Sequence, residues 1–111
     1  MEANVRDIKL VLLRHFPSAW NDPGARKFTG WVNIDLARGS YEAGVAVGQQ
    51  LTAHGFEFDR CCTSTLKRAT QSVAAVLQGM GQVSVPVEED QRLNERHYGL
   101  LQGRSHAEVA A

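Results

Sequence analysis

At 111 residues, 43% of them hydrophobic, the chain has material for one compact domain and too little for two. Twelve basic residues balance twelve acidic ones, so no global charge draws it to nucleic acid or a membrane surface, and any anion must be attracted locally. The longest apolar run, Leu10 to Leu13, is far short of a bilayer span, and Met1-Glu2-Ala3-Asn4 lacks the profile of a secretion signal, which makes the cytoplasm the expected compartment.

In chain order, Ile8-Lys9-Leu10-Val11-Leu12-Leu13 has the nearly continuous apolar character of a strand buried on both faces of a parallel sheet. From Tyr41 to His54, Ala43, Ala46, Val47 and Leu51 recur at helical spacing, and Gly55 stands where a helix commonly stops. His54 is placed as a helix-end cation. Phe56 to Thr63 reads as a second strand. Leu66, Ala69, Val73, Val76 and Leu77 then mark an amphipathic helix ending near Gly79 or Gly81. Val83 to Val87 is a third strand candidate, with Pro86 arguing for an edge or strand end. Ser105-x-x-Glu108 resembles a capping box whose helix is cut off at Ala111, so the chain reads as incomplete. No internal repeat or low-complexity tract interrupts the alternation, which predicts an α/β fold with a mostly parallel sheet.

Ligands of open parallel sheets bind beyond the carboxyl ends of the strands, and Arg14-His15 and Thr63-Ser64 fall at two such ends. A neutral imidazole can attack a phosphoryl group, and a neighbouring guanidinium can absorb the charge on the phosphoryl oxygens through bidentate contacts. The Arg-His pair alone is weak evidence, since a surface pair looks the same. Cys62 and Arg68 have the spacing of cysteine-dependent phosphatases, but the intervening Thr63-Ser64-Thr65-Leu66-Lys67 has no glycine to turn successive amides inward, so Cys62 reads as a buried strand residue with a reduced thiol. Adjacent Cys61 and Cys62 would form a strained disulfide, and two thiols alone make no metal framework.

Leu10-Val11-Leu12-Leu13-Arg14-His15, Ser18, Trp20-Asn21 and Phe28-Thr29-Gly30-Trp31 resemble the opening of the cofactor-dependent phosphoglycerate mutases, within the histidine phosphatase superfamily. The pattern continues in order through Phe58-Asp59, Thr63-Ser64, Leu66-Lys67-Arg68-Ala69, Pro86-Val87-Glu88, Arg92-Leu93-Asn94-Glu95-Arg96-His97-Tyr98-Gly99 and Leu101-Gln102-Gly103. It covers nearly the whole chain, and the Leu-Asn-Glu-Arg-His-Tyr-Gly run is its most specific part.

The resemblance implies a phosphoglycerate mutase-like three-layer α/β fold, truncated, with residues 1–111 forming the amino-terminal part of a single domain. It further implies interconversion of 2- and 3-phosphoglycerate in glycolysis and gluconeogenesis through a phosphohistidine, with 2,3-bisphosphoglycerate as priming donor, no metal, and homo-oligomers as a common state. By position, His15 is implied as the residue phosphorylated and Glu95 as proton donor and acceptor. Arg14, Ser18, Asn21, Thr29, Gly30, Arg68, Arg96 and Tyr98 match phosphate- or substrate-binding positions, and Trp20, Phe28 and Trp31 are assigned to the pocket wall. The alternatives are a histidine-dependent phosphatase and a non-catalytic relic that binds phosphorylated ligands.

The chain departs from the pattern at Phe16 and Pro17, where glycine and glutamate are usual. Phe16 is expected to crowd the phosphoryl site and Pro17 removes a backbone donor. The loop from Asn21 to Phe28 is longer than usual, Ala37-Arg38-Gly39 is shorter, and His106 replaces a lysine. A second catalytic histidine, in an Ala-His-Gly sequence, is implied beyond Ala111. The 111 residues alone are therefore expected to lack one stabilising partner of the transferred phosphoryl group.

Overall fold

The computed structural model describes residues 8–19, 27, 29–95, 97 and 99–105. Two helices, α1 (Ser40–Ala53) and α2 (Lys67–Met80), alternate with two short strands, β1 (Cys61–Thr63) and β2 (Val87–Glu89). The strands pair in parallel, with Cys61 opposite Val87, Cys62 opposite Glu88 and Thr63 opposite Glu89. Parallel neighbours cannot be joined by a tight turn, and α2 supplies the crossover. The α/β class follows from the sequence alternation.

The core lies where α2 meets α1, with Leu66, Ala75, Val76, Leu77 and Met80 buried. On α1 the buried face is not the expected Ala43, Ala46, Val47 and Leu51 row. It is Ser40, Gly44 and Gly48, spaced four residues apart along one stripe. The reason is the closeness of the crossing: a Cβ on Gly48 would collide with the Val76 carbonyl oxygen, and one on Gly79 with the Val45 carbonyl oxygen. Residues without side chains let the two backbones meet, leaving the alanine and valine row only partly covered. α2 ends on Gly81, whose φ of 70° suits a residue without a Cβ.

Both paired strands are shorter than the sequence suggested. Upstream of β1, the Phe58 N–H donates to Gln82 Oε1 (3.0 Å) and the Phe58 carbonyl accepts from Gln82 Nε2 (2.9 Å), so a side-chain amide takes the place of a ladder partner. On the other strand Pro86 has no N–H to give, and its carbonyl accepts the Cys61 N–H at 3.0 Å. The ladder therefore begins at Val87, and residues 83–85 turn instead of pairing.

The expected buried strand Ile8–Leu13 is not observed. The segment joins no ladder among the described residues, and Ile8 (97%), Leu10 (80%) and Leu12 (85%) are largely exposed. An extended segment becomes a strand only by pairing, and among the described residues the sheet has two strands, which pair with each other and not with residues 8–13. Lys9 instead sets its ammonium 5.9 Å from the centre of the Phe56 ring. Beyond the sheet, 3₁₀ turns form at Gln91–Leu93 and Gly99–Leu101. Ser105 forms an isolated antiparallel bridge with Lys27, and the helix expected to begin there lies outside the described residues. No described helix is long and apolar enough to cross a membrane.

Candidate active site

His15 sits half-buried after the apolar segment, with Nδ1 2.7 Å from the carbonyl oxygen of Phe16. A carbonyl oxygen only accepts, so Nδ1 carries the proton and donates it, and Nε2 keeps its lone pair. Burial is the largest influence holding the imidazole below its ordinary pKa. The Phe16 hydrogen bond opposes it, the positive charges of Arg68 and Arg14 reinforce it, and the negative charge of Glu95 works weakly the other way. The outcome is a neutral ring at neutral pH with one nitrogen fixed as donor and the other available as nucleophile.

The backbone beside His15 is anchored to α2. The Phe16 N–H donates to Ser72 Oγ at 3.0 Å, and Ser72 Oγ–H donates to the Arg68 carbonyl at 2.6 Å. The Phe16 ring is turned onto α1 at Gly44, where an added Cβ would lie 3.1 Å from its Cε2. The Phe16 ring thus packs where a helical glycine leaves room for it. Pro17, which has no N–H to offer, contributes its carbonyl, accepting the Ala37 N–H and the Ser40 hydroxyl, both at 2.8 Å.

Arg68, on the first turn of α2, is 2% exposed. Its Nη1 donates to the Val32 carbonyl (3.0 Å) and its Nη2 to the Gly30 carbonyl (2.6 Å). Both partners are neutral, and the two ion pairs among the described residues, Arg60 with Glu88 and Arg92 with Asp90, do not involve it. Burial lowers its proton affinity, partly offset by Glu95. A buried guanidinium satisfied by carbonyl dipoles retains its full positive charge for an anion. Gly30, with φ of 52°, turns the chain so that its carbonyl reaches Arg68. Its role here is to hold the arginine.

The remaining expected residues fall as follows. Arg14 is exposed and within electrostatic range of His15. Ser18 is buried and bridges Leu36 in antiparallel fashion. Thr29 directs its hydroxyl to the Lys27 carbonyl at 3.4 Å. Glu95 is exposed, and its carbonyl accepts the Trp31 indole N–H at 2.7 Å. Asn21, Arg96 and Tyr98 lie outside the described residues, as do Trp20, Phe28 and His106. His54 ends α1 with Nδ1 2.8 Å from the Gln50 carbonyl. Cys62 lies on β1 as expected but is exposed and not buried, and the strand register sets it beside Glu88, an unfavourable neighbour for a phosphate-binding thiolate.

Several contributors escaped the sequence reading. Ser72 is one helical turn from Arg68, a spacing that could have drawn attention to it. Asn33 had no such signal, and Asn94 stood within the Leu-Asn-Glu-Arg-His-Tyr-Gly run without a role: Asn33 Oδ1 accepts the Lys67 N–H at 2.6 Å, and Asn94 Oδ1 accepts the Thr65 N–H at 2.9 Å. Both fasten the start of α2 from distant parts of the chain. A separate cavity of about 440 Å³, lined by Tyr41, Val73, Leu77, Val83, Val87 and others, contains none of the site residues. Among the described residues no cluster of three or more His, Cys, Asp or Glu side chains could hold a metal ion.

The α/β framework, and a histidine within electrostatic range of a buried arginine, agree with the class to which comparison with known proteins assigns the chain. The profile of the histidine phosphatase superfamily (branch 1) matches residues 10–111. The chain belongs to that superfamily. It is 47% identical over 103 residues to proteins from two Bacteroides fragilis strains, each named 2,3-bisphosphoglycerate-dependent phosphoglycerate mutase, covering 93% of this chain and 41% of theirs. The chain thus spans less than half the length of these curated relatives. Among solved structures, Bacillus stearothermophilus YhfR superposes with a TM-score of 0.74 at 29% identity, covering 86% of this chain and 44% of that one. Phosphoglycerate mutase from Bacillus anthracis strain Sterne gives 0.73 at 22% identity, covering 81% and 38%, a likeness of fold.

Proposed function

We propose that the protein is a phosphoglycerate mutase, interconverting 2- and 3-phosphoglycerate through a phosphohistidine at His15, with 2,3-bisphosphoglycerate as priming donor. The observation that carries this reading is the His15 ring itself, its Nδ1–H committed to the Phe16 carbonyl and its basicity lowered by burial and by Arg68. Nε2 attacks phosphorus, the bond to the departing glycerate oxygen breaks, and Glu95 gives that oxygen its proton. In the second half-reaction the Glu95 carboxylate takes the proton of the attacking hydroxyl as the phosphoryl group leaves Nε2. Arg14 and Arg68 balance the charge on the phosphoryl oxygens, with Ser18, Asn21, Thr29, Gly30, Arg96 and Tyr98 assigned to ligand binding by resemblance. The donor set fits a multiply charged anion: a buried guanidinium without a carboxylate hydrogen bond among the described residues, a second arginine whose charge also reaches His15, and a neutral nucleophile. The cytoplasm, where phosphorylated intermediates of glycolysis and gluconeogenesis are handled, is the proposed location, and a homo-oligomer the proposed state.

The exposure of Glu95 favours a second reading, in which water takes the phosphoryl group and the protein is a histidine-dependent phosphatase. The test is incubation with radiolabelled 2,3-bisphosphoglycerate, followed by assay for an acid-labile, base-stable adduct and for both products. The mutase reading expects labelling that His15→Ala abolishes and isomerisation exceeding phosphate release. Phosphate release in excess supports the phosphatase, and binding of 3-phosphoglycerate without labelling defeats both.

A further inference from the structure

We infer that Trp31 is a positioning residue that sets the Glu95 segment against the Arg68 side of the site, an inference that rests on the proton-transfer role proposed for Glu95. Three contacts converge on this one residue from a segment more than sixty positions away. Its indole N–H donates to the Glu95 carbonyl at 2.7 Å. Its main-chain N–H donates to Gln102 Oε1 at 2.9 Å. Its ring meets the His97 imidazole edge-on, with centroids 5.7 Å apart and planes at 63°. Trp31 therefore grips the segment at its beginning, near its middle and at its end.

The other side of the grip is Arg68. Gly30, the residue before Trp31, gives its carbonyl to Arg68 Nη2, and Val32, the residue after, gives its carbonyl to Nη1. Residues 30–32 thus bind the buried guanidinium through their carbonyls and the Glu95 segment through the nitrogens of Trp31. Trp31 is 41% exposed, so burial of its ring is incomplete, and its polar contacts carry much of its specificity. Glu95 lies on exposed chain between two 3₁₀ turns; Asn94 before it is held by its side chain to Thr65, and the Trp31 indole N–H holds the carbonyl of Glu95 itself. A general acid contributes only when its proton is held within reach of the departing oxygen, and small displacements reduce that contribution steeply.

The test separates this role from a merely structural one by the leaving group. Transfer from 2,3-bisphosphoglycerate to His15 breaks a bond to an alkoxide that needs a proton, whereas transfer from p-nitrophenyl phosphate releases a phenolate that leaves without one. In Trp31→Phe, which keeps a ring but loses the indole N–H, labelling from bisphosphoglycerate should slow by about tenfold while labelling from p-nitrophenyl phosphate is unchanged. Gln102→Ala, which retains the indole, should show the same donor-selective slowing to a smaller degree. Equal slowing with both donors, or no slowing with either, overturns the inference. If the unsubstituted chain accepts phosphoryl from neither donor, the proposed function fails, and the grip is judged by amide NMR alone. Slow solvent exchange of the Trp31 indole N–H, accelerated in Gln102→Ala, supports it, and exchange as fast as that of a free indole overturns it.

Discussion

The Phe16 N–H donates to Ser72 Oγ across 3.0 Å, tying the residue after His15 to the helix that carries Arg68. Because Ser72 in turn donates to the Arg68 carbonyl, nucleophile and buried arginine share one hydrogen-bonded support. Ser72→Ala leaves the Phe16 N–H without its acceptor, which costs about 1–3 kcal/mol if water cannot replace it. The expected outcome in urea denaturation is a lower midpoint with an unchanged slope, together with slower labelling of His15. An unchanged midpoint would show that this bond contributes nothing to stability.

His15 gives a pH dependence with a definite sign. Its folded-state pKa lies below the ordinary imidazole value of about 6.5. Between these two values the unfolded chain binds the proton and the folded chain does not, so stability rises with pH in that window. The contribution is fully present above the unfolded value and is lost as pH falls toward the folded one. The ring titration followed by NMR should therefore lie on the acid side of a model histidine peptide. In Arg68→Met, which removes a positive charge, it should move back toward neutrality. A midpoint at or above the ordinary value in the unsubstituted chain contradicts the geometry.

Arg68→Lys keeps the charge but not the fork. An ammonium cannot serve the Gly30 and Val32 carbonyls with the same planar geometry. The expected result is a loss of about 1–3 kcal/mol in stability from imperfectly satisfied buried carbonyls, measured by thermal or urea unfolding. Weakened binding of inorganic phosphate should accompany it, read by isothermal titration.

The close crossing of α1 and α2 makes Gly48 and Gly79 intolerant of even a methyl group, because each would meet backbone that has no rotamer to change. Gly48→Ala and Gly79→Ala should each destabilise by about 1–3 kcal/mol or more, although alanine is the better helix former. Gly55→Ala, where no atom lies within 4 Å but φ is 84°, tests backbone strain alone and should cost less. Equal or raised stability of Gly48→Ala would mean that the helices are farther apart.

The helices were legible because α2 displays its apolar positions at helical spacing and ends at a glycine, and α1 ends before Gly55. Which face α1 buries was not legible, since hydropathy favours its alanine and valine row while the packing selects residues for having no side chain. The strand expected at Ile8–Leu13 illustrates a second limit. Apolar composition reports what a segment can bury, whereas strand formation depends on a partner. Within the site, His15 and Arg68 were named from motif and resemblance. Ser72 and Asn33 were not, and Asn94 was named in the motif without a role, because a serine on a helix or an asparagine in a loop carries no local sign of the distant amide it will accept. The packing of the Phe16 ring against Gly44, twenty-eight positions along the chain, could not be inferred before folding.

The most direct test of the central claim is phosphorus NMR of the chain after reaction with 2,3-bisphosphoglycerate, which distinguishes a phosphoryl group on Nε2 from one on Nδ1. With Nδ1–H held by the Phe16 carbonyl, the expected spectrum has one phosphohistidine resonance, at the Nε2 position, absent from His15→Ala. A phosphoryl group on Nδ1, on another residue, or on no residue of folded protein would contradict it.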